Sequence, residues 1–468
     1  MQPNIKKTGL GVFSLMLLIT GAIDSIRNLP ATALFGSALI FFFLFSAVVF
    51  LLPVALVSAR LSSACPKRGG VYQWVNWGLG GKVAFLAVWL QWINTLVWFP
   101  TILSFIAATA AWLINPLLAN SRVYLVSVIL TLFWTMTFLN LRGVHTSARF
   151  ANFCSIVGML IPMGMIIFLA ILWVVGGHQL QIHFTSSNLL PTFATTDNWI
   201  ALTAIMTAFL GMELATVHVR EVRDPQKTFP KALFWSVLLI LGTMIAGSLA
   251  IALVLPGKQI SLVGGVMQAF SQFFTVWHLS WLVPIMAVML LIGSVGGMTS
   301  WIISPARGLL QAAEQGFLPA YFTHKNQHEV PARLLILQAT LVTFVCLAFA
   351  LMPSVNGSYW LLTALSTQLY ILMYVLMFLA ALRLEKTQAL SAATIKMPLG
   401  KVGPWVVGIL GLIGCSITLA VGFIPPAGIS VGGFWHYEFI FCAGMLLMIT
   451  PPLLLFLKKY FLLRLKNC

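Results

Sequence analysis

Twelve apolar runs of helix-spanning length follow one another along the 468-residue chain. They lie near 10–33, 37–60, 83–113, 122–141, 152–176, 199–219, 232–255, 279–304, 334–353, 359–382, 403–424 and 434–457. About 20 apolar residues are what a helix needs to cross a hydrocarbon core. Within lipid every backbone polar group must be satisfied internally, so continuous apolar runs of this kind can only be helices. Composition closes the other routes. Charged residues make up 7% and apolar residues 60%, whereas a soluble domain carries roughly 25% charged residues. Too few charges exist to cover a water-facing surface. A water-soluble enzyme, a disordered regulator and a disulfide-stapled secreted domain are excluded, and the fold class is an all-α integral membrane protein with twelve transmembrane helices.

The net charge of +17 is explained by topology. With the N-terminus in the cytoplasm, 23 of the 26 basic residues fall in cytoplasmic loops or tails, leaving Arg27, Arg122 and Lys258 for the outer side or within a span. Cytoplasmic loops are enriched in Lys and Arg, so both termini are expected inside. Basic residues alternate with apolar runs instead of gathering on one domain, which argues against nucleic acid as a partner. The first run continues through Asp24, Arg27 and Pro30 with no small-residue cleavage site, and reads as a retained helix. The six cysteines show no CxxC spacing and read as small buried hydrophobes.

Two spans carry small residues around an ionisable one. The first reads Thr20-Gly21-Ala22-Ile23-Asp24-Ser25-Ile26-Arg27, and the sixth reads Gly211-Met212-Glu213-Leu214-Ala215-Thr216. Gly211 lies 190 residues after Gly21, and the same offset carries the third span onto the eighth. Spans 1–5 and 6–10 therefore read as two copies of one unit in opposite orientations, with interrupted helices at a midplane binding site. The free N–H groups of one half-helix can hold a carboxylate, and opposing carbonyls an amine or cation. The competing reading is that Gly21 and Gly211 only permit close helix packing.

Of the nine acids, Asp24 and Glu213 fall well within spans. A charged side chain at the bilayer centre costs at least about 2.5–3.5 kcal/mol, so Glu213 is expected to face a cavity and is a candidate to take up a proton during transport. A permanently neutral Glu213 bonded to the broken backbone is the alternative. Arg27 stands three residues after Asp24, a spacing that lets the two pair on one helix face; a structural ion pair competes with substrate contact by Asp24. His218, five residues after Glu213, is a further proton-sensing candidate. His324 and His328 have i,i+4 spacing but lack the Glu of a zinc-protease helix, so no metal and no cofactor is expected. Trp301, Tyr370 and Tyr374 lie in spans 8 and 10, which border the site in a five-plus-five fold. The two in-span acids lie on different helices with no metal or nucleophile partner, which argues against a membrane-embedded enzyme. A channel remains a further option.

The loop Pro66-Lys67-Arg68-Gly69-Gly70-Val71-Tyr72-Gln73-Trp74 resembles the P-x-x-G-G-x-Y-x-W loop of the amino acid–polyamine–organocation transporters. The stretch from Glu221 to Ala232 resembles that superfamily's loop after span 6. Closer still, the chain is similar to the bacterial glutamate:GABA antiporters in Gly211-Met212-Glu213 with His218-Val219, in Pro256-Gly257 with Gly265-Val266-Met267-Gln268, and in Ser300-Trp301-Ile302 with Pro305-Ala306-Arg307-Gly308. The likeness runs from about residue 9 to 455.

The resemblance implies an inner-membrane amino-acid exchanger working by alternating access under proton influence. Its alternatives are an amino-acid/proton symporter or a cationic amino-acid/polyamine exchanger. By position, Glu213 is the acid of the broken sixth helix, Trp301 lines the substrate path, and Tyr370 and Tyr374 match the span-10 tyrosine pair. Substrate contacts are expected at Thr20, Gly21, Ala22, Asp24, Ser25, Gly211, Met212, Glu213, Trp301, Tyr370 and Tyr374, and proton coupling at Glu213, Asp24 or His218. The expected organisation is a ten-helix core over 1–383, with repeats near 9–176 and 198–383, then two added helices and a short tail over 384–468. Partners are small-molecule amino acids and the lipid bilayer; the oligomeric state is open. Three features depart from the family pattern. Asp24 and Arg27 stand where uncharged residues are expected, Gly297 stands where an acid is expected, and about eleven residues after span 12 are fewer than the family's folded C-terminal plug.

Overall fold

The computed structural model describes residues 11–64, 70–143, 153–154, 156–190, 199–216, 225–390 and 395–466. These residues form helices and connecting turns, with no strand among them. Taken in chain order, the helices are α1 (Val12–Ile23), α2 (Leu29–Ala33), α3 (Gly36–Ala64), α4 (Val71–Leu79), α5 (Gly81–Ala111), α6 (Arg122–Leu141) and α7 (Ile156–Val175). Then come α8 (Ala201–Phe209), α9 (Met212–Thr216), α10 (Pro225–Val254), α11 (Gly265–Val276), α12 (Val283–Glu314), α13 (Ala332–Leu351), α14 (Val355–Lys386), α15 (Gly403–Val421) and α16 (Phe434–Lys466).

Among the described residues, nine helices are long and apolar enough to cross a membrane, and a tenth span forms if α1 and the segment Ile26–Ala33, bent by 42°, are taken together. Two shorter apolar helices, Ala201–Leu214 and Ser280–Gly296, coincide with the sixth and eighth expected spans. The centre of the bundle is α5 packed along α14. Both are apolar on every face and buried over most of their length, the pattern of a helix enclosed by other helices. The rim helices look different: α7 exposes Phe168 and Ile171, and α16 exposes Phe439, Leu446 and Leu447. A contiguous apolar exterior of this extent marks a surface made for lipid.

Four elements depart from the sequence expectation. The eighth helix runs past its expected end at 304, because α12 continues through Pro305 to Glu314, where apolar residues still recur at helical spacing. Similarly, α14 runs on to Lys386. Two further helices, α4 and α11, have 9 and 12 residues, too short to span. Each is amphipathic and lays its apolar face on the bundle: Val71, Tyr72, Trp74 and Val75 in α4, and Val266, Met267, Phe270, Phe273 and Phe274 in α11. Gly265, which opens α11, lies 194 residues after Val71, which opens α4.

Candidate functional site

Two helix breaks organise the interior. In the first, α1 ends at Asp24 (ψ 122°) and the chain passes through extended Ser25 (φ −147°) before turning back into helix at Ile26. The Asp24 N–H still bonds the Thr20 carbonyl at 2.8 Å. Gly21 is therefore not the break point; it sits inside α1, three residues ahead of it. In the second break, α8 ends at Leu210 (ψ 144°) and Gly211 takes φ +98°. That left-handed backbone favours glycine, which has no Cβ to clash. Leu210 lies 186 residues after Asp24. A helix end exposes backbone N–H groups on one side and carbonyls on the other.

Between the breaks lies a cavity of about 240 Å³. Its wall includes Gly21 and Asp24 to Asn28 from the first break, Thr207, Ala208, Leu210 and Gly211 from the second, and Asn94, Trp98, Ser366 and Tyr370 from α5 and α14. The Ser366 hydroxyl donates to Asn94 Oδ1, joining those two helices at the wall. The Thr207 hydroxyl meets that of Thr367, joining α8 to α14.

The expected Asp24–Arg27 ion pair does not form. An i,i+3 pair shares a face only while the helix is continuous, and here the backbone is extended between the two. Asp24 Oδ2 instead accepts a hydrogen bond from Thr243 of α10 at 2.9 Å. Its other oxygen, Oδ1, is buried with no hydrogen-bond partner among the described residues, as is the Thr20 hydroxyl one turn earlier. Arg27 turns to α5: Nη1 donates to Thr101 Oγ1 at 2.9 Å, and the guanidinium stands 4.9 Å from the centre of the Trp98 ring. Thr101 gives its own proton to the Trp98 carbonyl at 2.7 Å, which leaves a lone pair for Arg27. Tyr359 of α14 also lies beside Arg27. At 6% exposure the guanidinium is withdrawn from water, and an aromatic face under a desolvated cation returns about 2 kcal/mol of that cost.

Behind the cavity, Glu213 is 1% exposed and ringed by donors. Tyr370 donates to Oε1 at 2.5 Å, Gln91 Nε2 donates to the same oxygen at 3.1 Å, and Tyr374 donates to Oε2. Tyr374 in turn accepts the backbone N–H of Gly211 at 2.9 Å. A carboxylate with donors on both oxygens is satisfied without a counter-ion. The two tyrosines are one turn apart on α14, which puts both hydroxyls on one face.

Of the residues singled out in the sequence, Gly21, Asp24, Ser25, Gly211 and Tyr370 line the cavity. Glu213 and Tyr374 meet one layer behind it, reached through Tyr370. Thr20 and Met212 are buried beside the breaks. His218 lies outside the described residues, as do the side chains of Ala22 and Trp301, and so do Glu221 and Asp224. Sequence reasoning missed Gln91, Asn94, Thr101, Thr207, Thr243 and Ser366. Each is a polar residue within an apolar span, and polarity inside a membrane helix is the signal that could have marked them.

A family model described as amino acid permease matches residues 10–447 of the chain. An uncharacterized transporter of Legionella pneumophila is 38% identical over 98% of this chain and 98% of its own. A glutamate/gamma-aminobutyrate antiporter of Lactococcus lactis is 28% identical over 97% of this chain and 91% of its own. A cadaverine/lysine antiporter of Escherichia coli is 25% identical over 74% and 76% of the two chains. With the match running across both helix breaks and the helices that wall the cavity, the chain belongs to the amino acid permease family of membrane transporters.

Proposed function

We propose that the protein is a bacterial inner-membrane amino-acid exchanger of the glutamate/GABA type, working by alternating access. The observation that carries this reading is the cavity walled by both helix breaks. The substrate's carboxylate meets the N–H groups that open the chain after the first break, and its ammonium meets the carbonyl end of α8, each charge at the helix end of opposite polarity. Glu213, joined to the cavity by the Tyr370 hydroxyl, is the group that takes up and releases the proton.

The chain crosses the membrane twelve times with both termini in the cytoplasm. Residues 1–383 form a ten-helix core of two inverted repeats, near 9–176 and 198–383, and 384–468 add two helices and a tail. The distribution of basic residues supports the orientation. Two matched pairs support the repeat: the breaks at Asp24 and Leu210, and the amphipathic helices α4 and α11, recur at offsets within ten residues of each other. Paired interruptions of this kind mark the binding site of inverted-repeat transporters.

The experiment is uptake of labelled glutamate, GABA or arginine into liposomes holding the purified protein and preloaded with each unlabelled amino acid or with none. Uptake confined to preloaded vesicles is the expected result and names the substrate pair. Equal uptake into empty vesicles would replace exchange with uniport or symport.

A further inference from the structure

Arg27 is a buried guanidinium on the cavity wall, and among the described residues no carboxylate lies within ion-pairing distance of it. A guanidinium carries five N–H donors. Thr101 takes one and Tyr359 is a second partner, and neither is a carboxylate. Asp24, on the same wall, is the complementary case: Thr243 serves Oδ2, while Oδ1 is buried and has no partner among the described residues. Two opposite charges are thus held apart across the break in α1, each tied to a different neighbouring helix, and among the described residues neither is paired with an opposite charge. Buried charges are retained only when paired or when they serve a ligand. The ligand that completes both carries an anionic and a cationic group.

We propose that Arg27 and Asp24 form an ionic subsite that sets substrate charge: Arg27 receives a carboxylate and Asp24 an ammonium. This rests on the amino-acid transport reading above, in which backbone N–H groups after the break serve the main-chain carboxylate. Arg27 is then the partner of a second carboxylate, on the side chain, and Asp24 helps hold the main-chain ammonium. Of the two amino acids exchanged, glutamate is the one that completes the subsite. The planar fork of arginine suits a carboxylate in a way that a point charge does not. A cationic side chain in the same cavity would face Arg27 and be rejected by like charge.

The test uses the full-length protein in preloaded liposomes and compares kcat/KM for glutamate, glutamine and lysine. Wild type is expected to favour glutamate over glutamine by at least about tenfold, because the amide leaves a buried charge unpaired. In Arg27→Gln that ratio should fall to about one or below, with glutamine transport retained; Arg27→Lys should lie between, since it keeps the charge and loses the fork. Wild type that takes glutamine or lysine as readily as glutamate overturns the subsite while leaving amino-acid transport intact. An Arg27→Gln variant that slows every substrate by the same factor also overturns it, since that is the behaviour of a structural residue. Should Arg27→Gln fail to fold, the wild-type selectivity and the Arg27→Lys ratio decide the matter. Absence of uptake for every amino acid in wild type would remove the transport reading itself, and the subsite with it.

Discussion

Tyr374 donates its phenolic proton to Glu213 and accepts the backbone N–H of Gly211 at 2.9 Å. One hydroxyl therefore ties the buried acid to the helix break two residues before it, and ties both to the long central helix α14. The N–H that the break frees is satisfied by this side chain, where a continuous helix would have used a carbonyl. A single oxygen thus links the Glu213 carboxyl to the backbone at Gly211.

Removing that oxygen separates the two. Tyr374→Phe leaves the Gly211 N–H buried without a partner and Glu213 one donor short. A loss of about 1–3 kcal/mol in stability is expected for the orphaned donor, read as a lower Tm in detergent. Transport should fall further than stability, because the break loses its anchor. A variant with wild-type Tm and uptake would show that the hydroxyl serves neither.

Glu213→Gln keeps the size of the side chain and removes the site for a proton. With three donors already aimed at it, the amide has a single acceptor oxygen and brings two donors of its own. The variant should remain folded, and exchange should be lost or should no longer respond to pH. Initial uptake rates at acid and neutral pH check this; full activity with the wild-type pH response would end the role given to Glu213.

Arg60 at the end of α3 bonds Glu385 near the end of α14, with Nη2 to Oε2 at 3.2 Å, and also donates to the Ile395 carbonyl at 3.1 Å. Both side chains are 14% exposed, so the pair falls between a surface and a buried bridge. Breaking it by Glu385→Ala should cost about 1–3 kcal/mol. A double-mutant cycle with Arg60→Ala should return a coupling energy above about 0.5 kcal/mol. Additive effects would mean that the pair contributes nothing as a pair.

Gly158 of α7 and Gly293 of α12 touch backbone to backbone on the cavity wall. A Cβ on Gly158 would fall 2.1 Å from the Gly293 Cα, and one on Gly293 would fall 2.4 Å from the Gly158 Cα. Alanine at either position must push two helices apart, an overpacking cost of about 1–3 kcal/mol. Thermal denaturation of each variant checks this, and an unchanged Tm would show that the crossing yields freely.

Nine of the expected spans, ten with the bent first pair, were legible in the sequence because a membrane helix announces itself by length and apolarity alone. The second break was legible too, since a glycine, Gly211, stands two residues before an acid, Glu213, within one span. Its counterpart was misplaced by three residues. Gly21 is compatible with helix, and the interruption is built by the extended backbone of Asp24 and Ser25, which no residue type there demands. The same break explains why the i,i+3 spacing of Asp24 and Arg27 misled: it presupposed a helix that ends between them. Helices α4 and α11 went unassigned because neither is long enough to register as a span. The side chains that hold Glu213, Arg27 and Asp24, namely Gln91, Thr101 and Thr243, stand 70 or more residues away in sequence, a relation only the packed bundle reveals.

On the proposed function, the cavity between the two breaks holds the transported amino acid. Ser25 lines it and is half-buried. The most direct measurement places cysteine at Ser25 in a cysteine-depleted background and follows the rate of modification by a small water-soluble thiol reagent, with and without saturating substrate. A bound substrate excludes the reagent from the wall it covers, so labelling should slow at least about tenfold in a variant that still exchanges. An unchanged rate at saturating substrate, in protein that transports normally, would place the amino acid elsewhere.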